Sequence, residues 1–174
     1  MNILILNDDG IAAEGLRSLA SHLAQRHSVT VAAPMHQQSG TSHALTIGRA
    51  IEVRADEYFD AYAAIRAWAI DGTPTDCGKL YLDAIAEEMP DVVLSGINHG
   101  SNSSINVIYS GTMGAAIEGA LHRAPSIGLS LCDHSDDADF SQALPHFRHL
   151  VCRLLLEKKR ARAIILFHDI HPTS

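Results

Sequence analysis

Cysteine is scarce in this sequence. The chain has 3 cysteines, Cys77, Cys132 and Cys152, and they show neither CxxC nor zinc-type Cys/His spacing. An odd number at such wide separations excludes a disulfide framework as the basis of the fold. We therefore expect reduced thiols in a cytosolic protein.

Basic residues are few, and long apolar runs are lacking. The chain has 13 Lys and Arg against 20 Asp and Glu, a formal net charge of -7. Because nucleic-acid scaffolds usually need a basic stripe to displace counterions, no nucleic-acid partner is expected. No apolar run approaches the ~20 residues of a membrane span, and the amino terminus has no basic n-region. We expect a cytoplasmic protein with no membrane partner, which would bind an anionic small molecule through local donors or a metal.

Two common phosphate-binding signatures are also missing. The sequence contains neither GxGxxG nor GxxxxGK[ST], so dinucleotide binding and P-loop binding lack their usual motifs. What is present is an ordinary globular composition, with 47% hydrophobic and 19% charged residues in 174. This length and composition predict one domain over residues 1–174 with a sizeable core.

Short apolar runs alternate with segments of helical spacing along the chain. The first unit runs from the strand Asn2–Leu6, through a helix that reaches Gln25, to a second strand at Val29–Ala33. This regular alternation predicts a parallel, layered α/β sheet with right-handed crossovers. Further strands are predicted at Ile51–Arg54, Trp68–Ile70, Asp91–Ser95, Ile127–Leu131 and Ala163–Phe167, and further helices from Pro74 to about Glu88, at Thr112–Leu121 and at Phe140–Lys159.

Two adjacent acids, Asp8 and Asp9, follow the first apolar run. Ligands of open α/β sheets bind where strands end, so these carboxylates fall where chemistry is expected. Their mutual repulsion would be relieved by a divalent cation such as Mg²⁺ or Mn²⁺, which prefers oxygen ligands. The alternative is that one of them caps the helix expected to open near Ile11.

Two more polar residues follow strands and join the candidate metal site. Ser39 lies in the polar loop after the second strand, and Asn98 lies just past the strand that contains Val93. Together with the two aspartates they form an all-oxygen ligand set suited to Mg²⁺ or Mn²⁺. Taken singly, Ser39 also fits a turn hydroxyl and Asn98 a side chain bonded to local backbone.

A candidate phosphate site precedes the Ala-rich helix. The segment around Ser110, Gly111 and Thr112 offers hydroxyls and backbone N–H groups at a helix amino terminus. Ser110 or Thr112 also fits a helix cap. The Ser39–Ser42 segment, with Gly40 and Ser42, is a second and weaker group of donors of the same kind.

Several separate motifs in this sequence match one known family in the right order. They resemble the SurE survival-protein family of metal-dependent 5'-nucleotidases, and the resemblance covers roughly residues 1–131. The segments that carry it are NILILNDDGIAAEGL, APMHQQSGTSHALT, DGTPTDCG and SGINHGSNSSINVIYSGTMGAAIEG.

The resemblance implies a fold, a site and an activity. It implies a Rossmann-like three-layer parallel sheet with helices on both faces. It implies that Asp8, Asp9, Ser39 and Asn98 hold the divalent ion, with Ser110, Gly111 and Thr112 beside the substrate phosphate. It further implies hydrolysis of nucleoside 5'-monophosphates, with 3'-nucleotides and short polyphosphate as further substrates, by a cytoplasmic homodimer or homotetramer.

Family members are usually several dozen residues longer than this chain. The residues after Ile164 also do not resemble the family's usual continuation, so we expect a chain truncated at its C-terminus. Two alternatives to a nucleotidase follow from the sequence. One is a phospho-accepting receiver domain, which also carries acids after its first strand but needs an acceptor aspartate where this chain has Asn98. The other is an inactive truncated remnant.

Overall fold

A computed structural model describes residues 1–146, 150–151 and 165–172. Seven strands among them form one sheet with helical segments packed on it. The strands are β1 Asn2–Leu6, β2 Ser28–Pro34, β3 Val53–Ala55, β4 Ile65–Ile70, β5 Val92–His99, β6 Ser126–Leu131 and β7 Ile165–Ile170. The α-helices are α1 Glu14–Ala24, α2 Pro74–Leu80, α3 Asn106–Tyr109 and α4 Gly111–Leu121; a π-helical turn at Tyr81–Ile85 continues α2, and 3₁₀ turns lie at Glu57–Ala61 and Phe140–Ala143.

The strand order of the sheet is β3-β4-β2-β1-β5-β6-β7. Six of these strands run parallel, and β3 pairs antiparallel with β4 at one edge. Counted along the chain, the six parallel strands have the order 3-2-1-4-5-6 of a doubly wound dinucleotide-type fold. The order reverses between β1 and β5, where Ile3 of β1 faces Val92 of β5.

Helices cover both faces of the sheet, because nearly every side chain of the central strands is apolar and buried. Leu16, Leu19 and Leu23 of α1 pack on one face. Cys77 of α2 and Ala115 of α4 pack on the other. The predicted three-layer α/β fold is therefore confirmed.

Several predicted elements differ in detail from those observed. Helix α1 begins at Glu14 instead of near Ile11, and its cap position is Ala13. Strand β5 extends to His99, so Asn98 belongs to the strand instead of following it. The predicted strand at Ile51–Arg54 is the short antiparallel edge strand β3.

The chain's last predicted elements are only partly described. The predicted helix at Phe140–Lys159 begins as a 3₁₀ turn, and most of its later residues lie outside the described ones. The last strand, predicted at Ala163–Phe167, is β7, observed at Ile165–Ile170. Within the described ranges, no helix has the length and apolar character needed to cross a membrane.

Candidate metal and phosphate site

The carboxyl ends of β1 and β5 meet at the point where the strand order of the sheet reverses. Strand β1 leads directly into Asp8 and Asp9, and Asn98 lies near the end of β5. Ligands of doubly wound sheets bind in the crevice at such a switch point. The topology therefore brings three of the four predicted metal ligands to one place.

Thr112, in the first turn of α4, joins two of these residues. Its hydroxyl donates a very short hydrogen bond to Asp8 Oδ1 and lies 3.2 Å from Asn98 Oδ1. The backbone N–H of Thr112 also bonds to Asp8. Asp8 and Thr112 are both buried, so this contact is shielded from water. The Asn98 amide in turn donates to the Gly100 carbonyl over 2.6 Å, which fixes its oxygen toward Thr112.

Asp9 is held by groups from two neighbouring segments. The His99 backbone N–H donates to Asp9 Oδ2 over 3.2 Å, and the Gln37 amide donates to Asp9 Oδ1 over 3.4 Å. Because the cap position of α1 is Ala13, neither aspartate caps that helix. The capping alternative for this acidic pair is therefore wrong.

Both carboxylates resist ionisation in this environment. Burial raises the pKa of Asp8 to about 6; the hydrogen bonds from Thr112 oppose this change, and the neighbouring charge of Asp9 adds to it. Burial also raises the pKa of Asp9, against the His99 backbone hydrogen bond. Among the described residues, no Lys, Arg or His side chain forms an ion pair with either acid. A cation is the natural partner for such a pair.

The loop after β2 lies against both β1 and α4. The Gln38 backbone N–H donates to the Asp8 carbonyl over 2.7 Å, and the Thr41 hydroxyl donates to the Gln38 carbonyl over 2.9 Å. Ser39 follows Gln38 directly and is exposed. Ser39, the fourth predicted ligand, therefore lies on a loop that is hydrogen-bonded to the backbone of Asp8.

Gly111 begins α4 where this loop, β1 and the helix meet. A Cβ at Gly111 would lie 2.8 Å from Asp8 Cβ and 2.9 Å from the Thr41 hydroxyl, so only glycine lets the three segments approach this closely. Ser110 caps the helix, because its hydroxyl accepts from the Met113 N–H over 3.1 Å. Ser110 is therefore the residue that caps the helix. Thr112 does not cap it, and its hydroxyl is hydrogen-bonded to Asp8 instead.

The weaker group of donors, at Gly40 and Ser42, sits on the same loop. Gly40 is exposed and has a φ of 74°, a conformation that favours glycine. The Ser42 N–H donates to the Tyr109 carbonyl over 3.0 Å and its hydroxyl to the Ile108 carbonyl over 2.7 Å. The loop is therefore fixed beside the start of α4.

Three residues of the site were missed by sequence reasoning. His99 and Gln37 hold Asp9, and the Asn7 amide donates to the Gly10 carbonyl over 2.9 Å, which closes the turn that carries both acids. His99 bonds to Asp9 through its backbone N–H, so the identity of its side chain gives no indication of this contact. Asn7 and Gln37 could have been found only as polar residues next to the predicted ligands.

The residues at this edge fit a hard divalent cation better than zinc. No cluster of three or more His, Cys, Asp or Glu side chains suited to a metal occurs in the described part of the chain. The available donors are the buried Asp8 carboxylate, the partly buried Asp9 carboxylate, the Asn98 amide oxygen and the hydroxyl of the exposed Ser39 on the adjoining loop. Carboxylate, amide and hydroxyl oxygens are the ligands that Mg²⁺ and Mn²⁺ prefer.

Comparison with known proteins matches one family. The sequence model of the family described as "Survival protein SurE" matches residues 3–167. A curated relative named "5'-nucleotidase SurE" from Picosynechococcus sp. is 47% identical over 166 residues, which cover 94% of this chain. A relative of the same name from Cytophaga hutchinsonii is 46% identical over 154 residues, which cover 88% of this chain.

A solved structure supports the same match. The crystal structure of the SurE protein from Aquifex aeolicus superposes with a TM-score of 0.82 at 31% identity, covering 99% of this chain and 67% of that one. The chain spans 58% of the length of each of the two curated relatives.

Proposed function

This chain belongs to the survival protein SurE family, and we propose that it is a metal-dependent phosphomonoesterase that hydrolyses nucleoside 5'-monophosphates to nucleoside and phosphate. The relatives carry the name 5'-nucleotidase. This chain spans 58% of the length of these relatives, so we propose, for this chain, the activity that their name gives. No feature of the described structure favours the receiver-domain alternative.

The observation that carries the proposal is the convergence of Asp8, Thr112 and Asn98 at the switch point of the sheet. These residues come from the end of β1, from β5 and from α4, with Asp8 104 residues from Thr112, and the Thr112 hydroxyl joins the other two side chains. Nothing in local secondary structure requires this contact. A shared ligand at the strand ends would explain why a buried and a partly buried acid, neither of them in an ion pair with any described residue, are kept there.

Asp8, Asp9, Ser39 and Asn98 would hold Mg²⁺ or Mn²⁺. When bound, such an ion supplies a Lewis acid and a water molecule of lowered pKa. Thr112 keeps Asp8 in place through its hydroxyl and N–H, which lets the carboxylate orient an attacking water. The His99 N–H does the same for Asp9.

The phosphate would lie against the first turn of α4. Ser110 and Gly111 begin that helix, and backbone N–H groups at a helix start favour anions. Gly40 and Ser42, on the loop opposite, would complete the phosphate site. Thr112 is fully buried and its hydroxyl is bonded to Asp8, so we propose that it supports the phosphate site through Asp8.

The other expectations drawn from the sequence are part of the same proposal. We propose 3'-nucleotides and short polyphosphate as additional substrates, a cytoplasmic location, and a homodimer or homotetramer. We also propose that residues 1–174 form one domain.

Phosphate release from AMP tests the proposal directly. We expect turnover with Mn²⁺ or Mg²⁺, none with a chelator, and a loss of at least about 100-fold in kcat/KM on Asp8→Asn. Asp71→Asn is the control, because the Asp71 side chain is half-exposed and its carboxylate pairs with Arg49. Turnover that ignores both chelator and Asp8→Asn would refute the proposed function.

A further inference from the structure

Glu118 is a buried acid that the proposed metal and phosphate site does not use. It lies in the last turn of α4, and its side chain is 6% exposed. Glutamate is seldom buried unless it is paired, and the negative end of the helix dipole at that turn disfavours a second negative charge. Helix stability therefore does not explain an acid at this position, and the explanation lies with its partners.

Two histidines hold the Glu118 carboxylate. His43 Nε2 lies 2.9 Å from Glu118 Oε2. His122 Nδ1 lies 3.5 Å from Glu118 Oε1 and 2.9 Å from the Glu118 carbonyl oxygen. The other ring nitrogen of His122 lies 2.8 Å from Asp83 Oδ1, and Lys79 pairs with the second oxygen of Asp83 over 2.8 Å. Each oxygen of Glu118 is therefore faced by a histidine from a different segment.

His122 supplies the Glu118 carboxylate with positive charge. Burial opposes protonation of the ring, but the hydrogen bonds with the Glu118 carbonyl and the Asp83 carboxylate together hold the pKa of His122 above its ordinary value. The Lys79 ammonium on α2 also attracts Glu118. These groups compensate the carboxylate at the end of α4, which leaves Oε2 to accept a hydrogen bond from His43.

His43 belongs to the loop between β2 and β3, which carries the proposed phosphate donors. It follows Ser42 directly, and its side chain is 34% exposed. The Ser42 N–H and hydroxyl bond to backbone carbonyls just before α4, and the Thr73 hydroxyl donates to the Ala44 carbonyl over 2.6 Å. The loop is therefore attached near the start of α4 through Ser42 and to its last turn through His43.

We propose that Glu118 is a positioning residue for the phosphate site, and that its hydrogen bond with His43 holds the loop on which Gly40 and Ser42 face the phosphate. This inference rests on the proposed function, which places the phosphate between that loop and the first turn of α4. Glu118 acts only through His43 and does not touch the substrate. Without this bond the loop can move away from α4, and the phosphate loses donors.

Removal of the His43 donor tests this role. We expect His43→Leu to raise the KM for AMP and to weaken the binding of inorganic phosphate in the presence of Mn²⁺, each about tenfold, with kcat near the wild-type value. Only the KM changes, because the loop donors bind the phosphate of the substrate and of the transition state alike.

Two further variants are the controls for His43→Leu. His43→Gln keeps an N–H donor near the position of Nε2 and should recover most of the lost phosphate affinity. His22→Leu makes the same chemical change at an exposed position of α1 and should behave as the wild type. Equal phosphate affinity in the wild type and in His43→Leu would overturn the positioning role.

A double-mutant cycle tests whether Glu118 acts through His43. Glu118→Gln keeps the shape of the side chain but removes its charge, so we expect a smaller loss of phosphate affinity of the same kind. The two changes combined should weaken phosphate binding no more than His43→Leu alone. Losses that simply add would show that the two residues act separately, against the proposal.

Amide hydrogen exchange gives a readout independent of turnover. The Ser42 and Ala44 N–H groups donate to backbone carbonyls, so their exchange rates report how firmly the loop is held. We expect both to exchange about tenfold faster in His43→Leu, while the amides of β6 keep their wild-type rates. Unchanged exchange in the loop, or faster exchange in β6 as well, would overturn the positioning role, since the latter indicates a general loss of stability.

The same measurements separate this inference from the proposed function. A wild type that neither binds phosphate nor hydrolyses AMP would contradict the proposed function. The exchange rates of the loop would then still decide whether the bond between Glu118 and His43 holds it.

Discussion

Thr112 shows how one residue organises the candidate site. Its hydroxyl contacts both Asp8 and Asn98, and its own exposure is 0%. When a buried carboxylate loses a hydrogen-bond donor, the free-energy cost of removing it from water is no longer offset by that hydrogen bond. The geometry of the proposed metal ligands therefore depends on a side chain that need not touch the metal.

Replacing Thr112 by valine tests this dependence. Valine keeps the shape but removes the hydroxyl, so we expect Mn²⁺ affinity to fall about 10- to 100-fold and the free energy of unfolding to fall by about 1–3 kcal/mol. Thr112→Ser keeps the hydroxyl and serves as the control. Calorimetric titration and urea unfolding measure the two effects, and a valine variant with wild-type Mn²⁺ affinity would contradict the positioning role.

At the residue scale, the sequence predicted the positions of those polar residues that lie at the ends of strands. Asp8 and Asn98 were placed together because parallel strands end at one edge of the sheet. The contact of Thr112 with Asp8 could not be predicted, since it depends on how closely α4 approaches β1. Ser39 was placed on the correct loop, but its role stays a prediction.

The loop between β2 and β3 is the element that joins the site to the rest of the fold. At its start it bonds to Asp8, and further along Thr46 donates to Asp76 at the start of α2, with its hydroxyl 2.5 Å from Asp76 Oδ2. Thr73 adds a bond from its hydroxyl to the Ala44 carbonyl over 2.6 Å. Helices α2 and α4 together therefore fix a loop that has no regular structure of its own.

Close contact between this loop and α4 predicts a strong effect of Gly114→Ala. A Cβ at Gly114 would fall on the Ser42 carbonyl oxygen. Although alanine favours a helix by about 1 kcal/mol, we expect a net loss of about 1–3 kcal/mol in unfolding free energy, with reduced AMP turnover because the loop is displaced. Chemical unfolding and the phosphate-release assay measure these changes.

Gly78→Ala in α2 is the matched control for that substitution. There the nearest atom to a new Cβ is the side-chain atom Leu6 Cδ1 at 3.1 Å, not a backbone atom. We expect this variant to gain up to about 1 kcal/mol from helix propensity and to keep its activity. Equal effects at the two glycines would show that loop contact is not the cause.

The carboxylate of Asp76 predicts a pH-dependent contribution to stability. Burial raises its pKa, but the stronger combined effect of hydrogen bonds from Thr46 and Thr73 holds the pKa below its ordinary value. A lowered pKa in the folded state stabilises the fold above about pH 4, and this contribution is lost as the pH falls through the folded pKa. Asp76→Asn should cost about 2 kcal/mol at pH 7 and less below pH 4.

Urea unfolding of Asp76→Asn at pH 7 and near pH 3.5 measures the difference. Asp71→Asn is the control, because the exposed Asp71–Arg49 pair should contribute less than about 1 kcal/mol. A cost at Asp76 that stays the same at both pH values would contradict the assignment of the stabilisation to its charge.

Element prediction worked for buried strands and less well for polar edges. Strand β1 was predicted because its run is apolar and buried on both faces. Strand β3 was predicted near its position, but its antiparallel direction depends on pairing with Trp68 and Ile70 of β4, which local sequence does not specify. The short helix α3 in the polar loop carries no apolar periodicity and was not predicted.

At the scale of the whole molecule, the strand order decides where the site lies. The order 3-2-1-4-5-6 of the parallel strands leaves one switch point, between β1 and β5, and the candidate ligands lie there. Alternation of strands and helices predicted the layers but not this order, because the order depends on which crossover passes over which strand. The resemblance to the SurE family implied a Rossmann-like sheet but no strand order, which the structure supplies.

The central claim is that distant oxygen ligands converge around one divalent cation. Titration of Mn²⁺ into the wild type and into Asp9→Ala, followed by calorimetry, tests it most directly. The account predicts one binding site per chain in the wild type and a loss of affinity of at least about tenfold in the variant. Equal Mn²⁺ affinity in the two proteins, or no binding by the wild type, would contradict it.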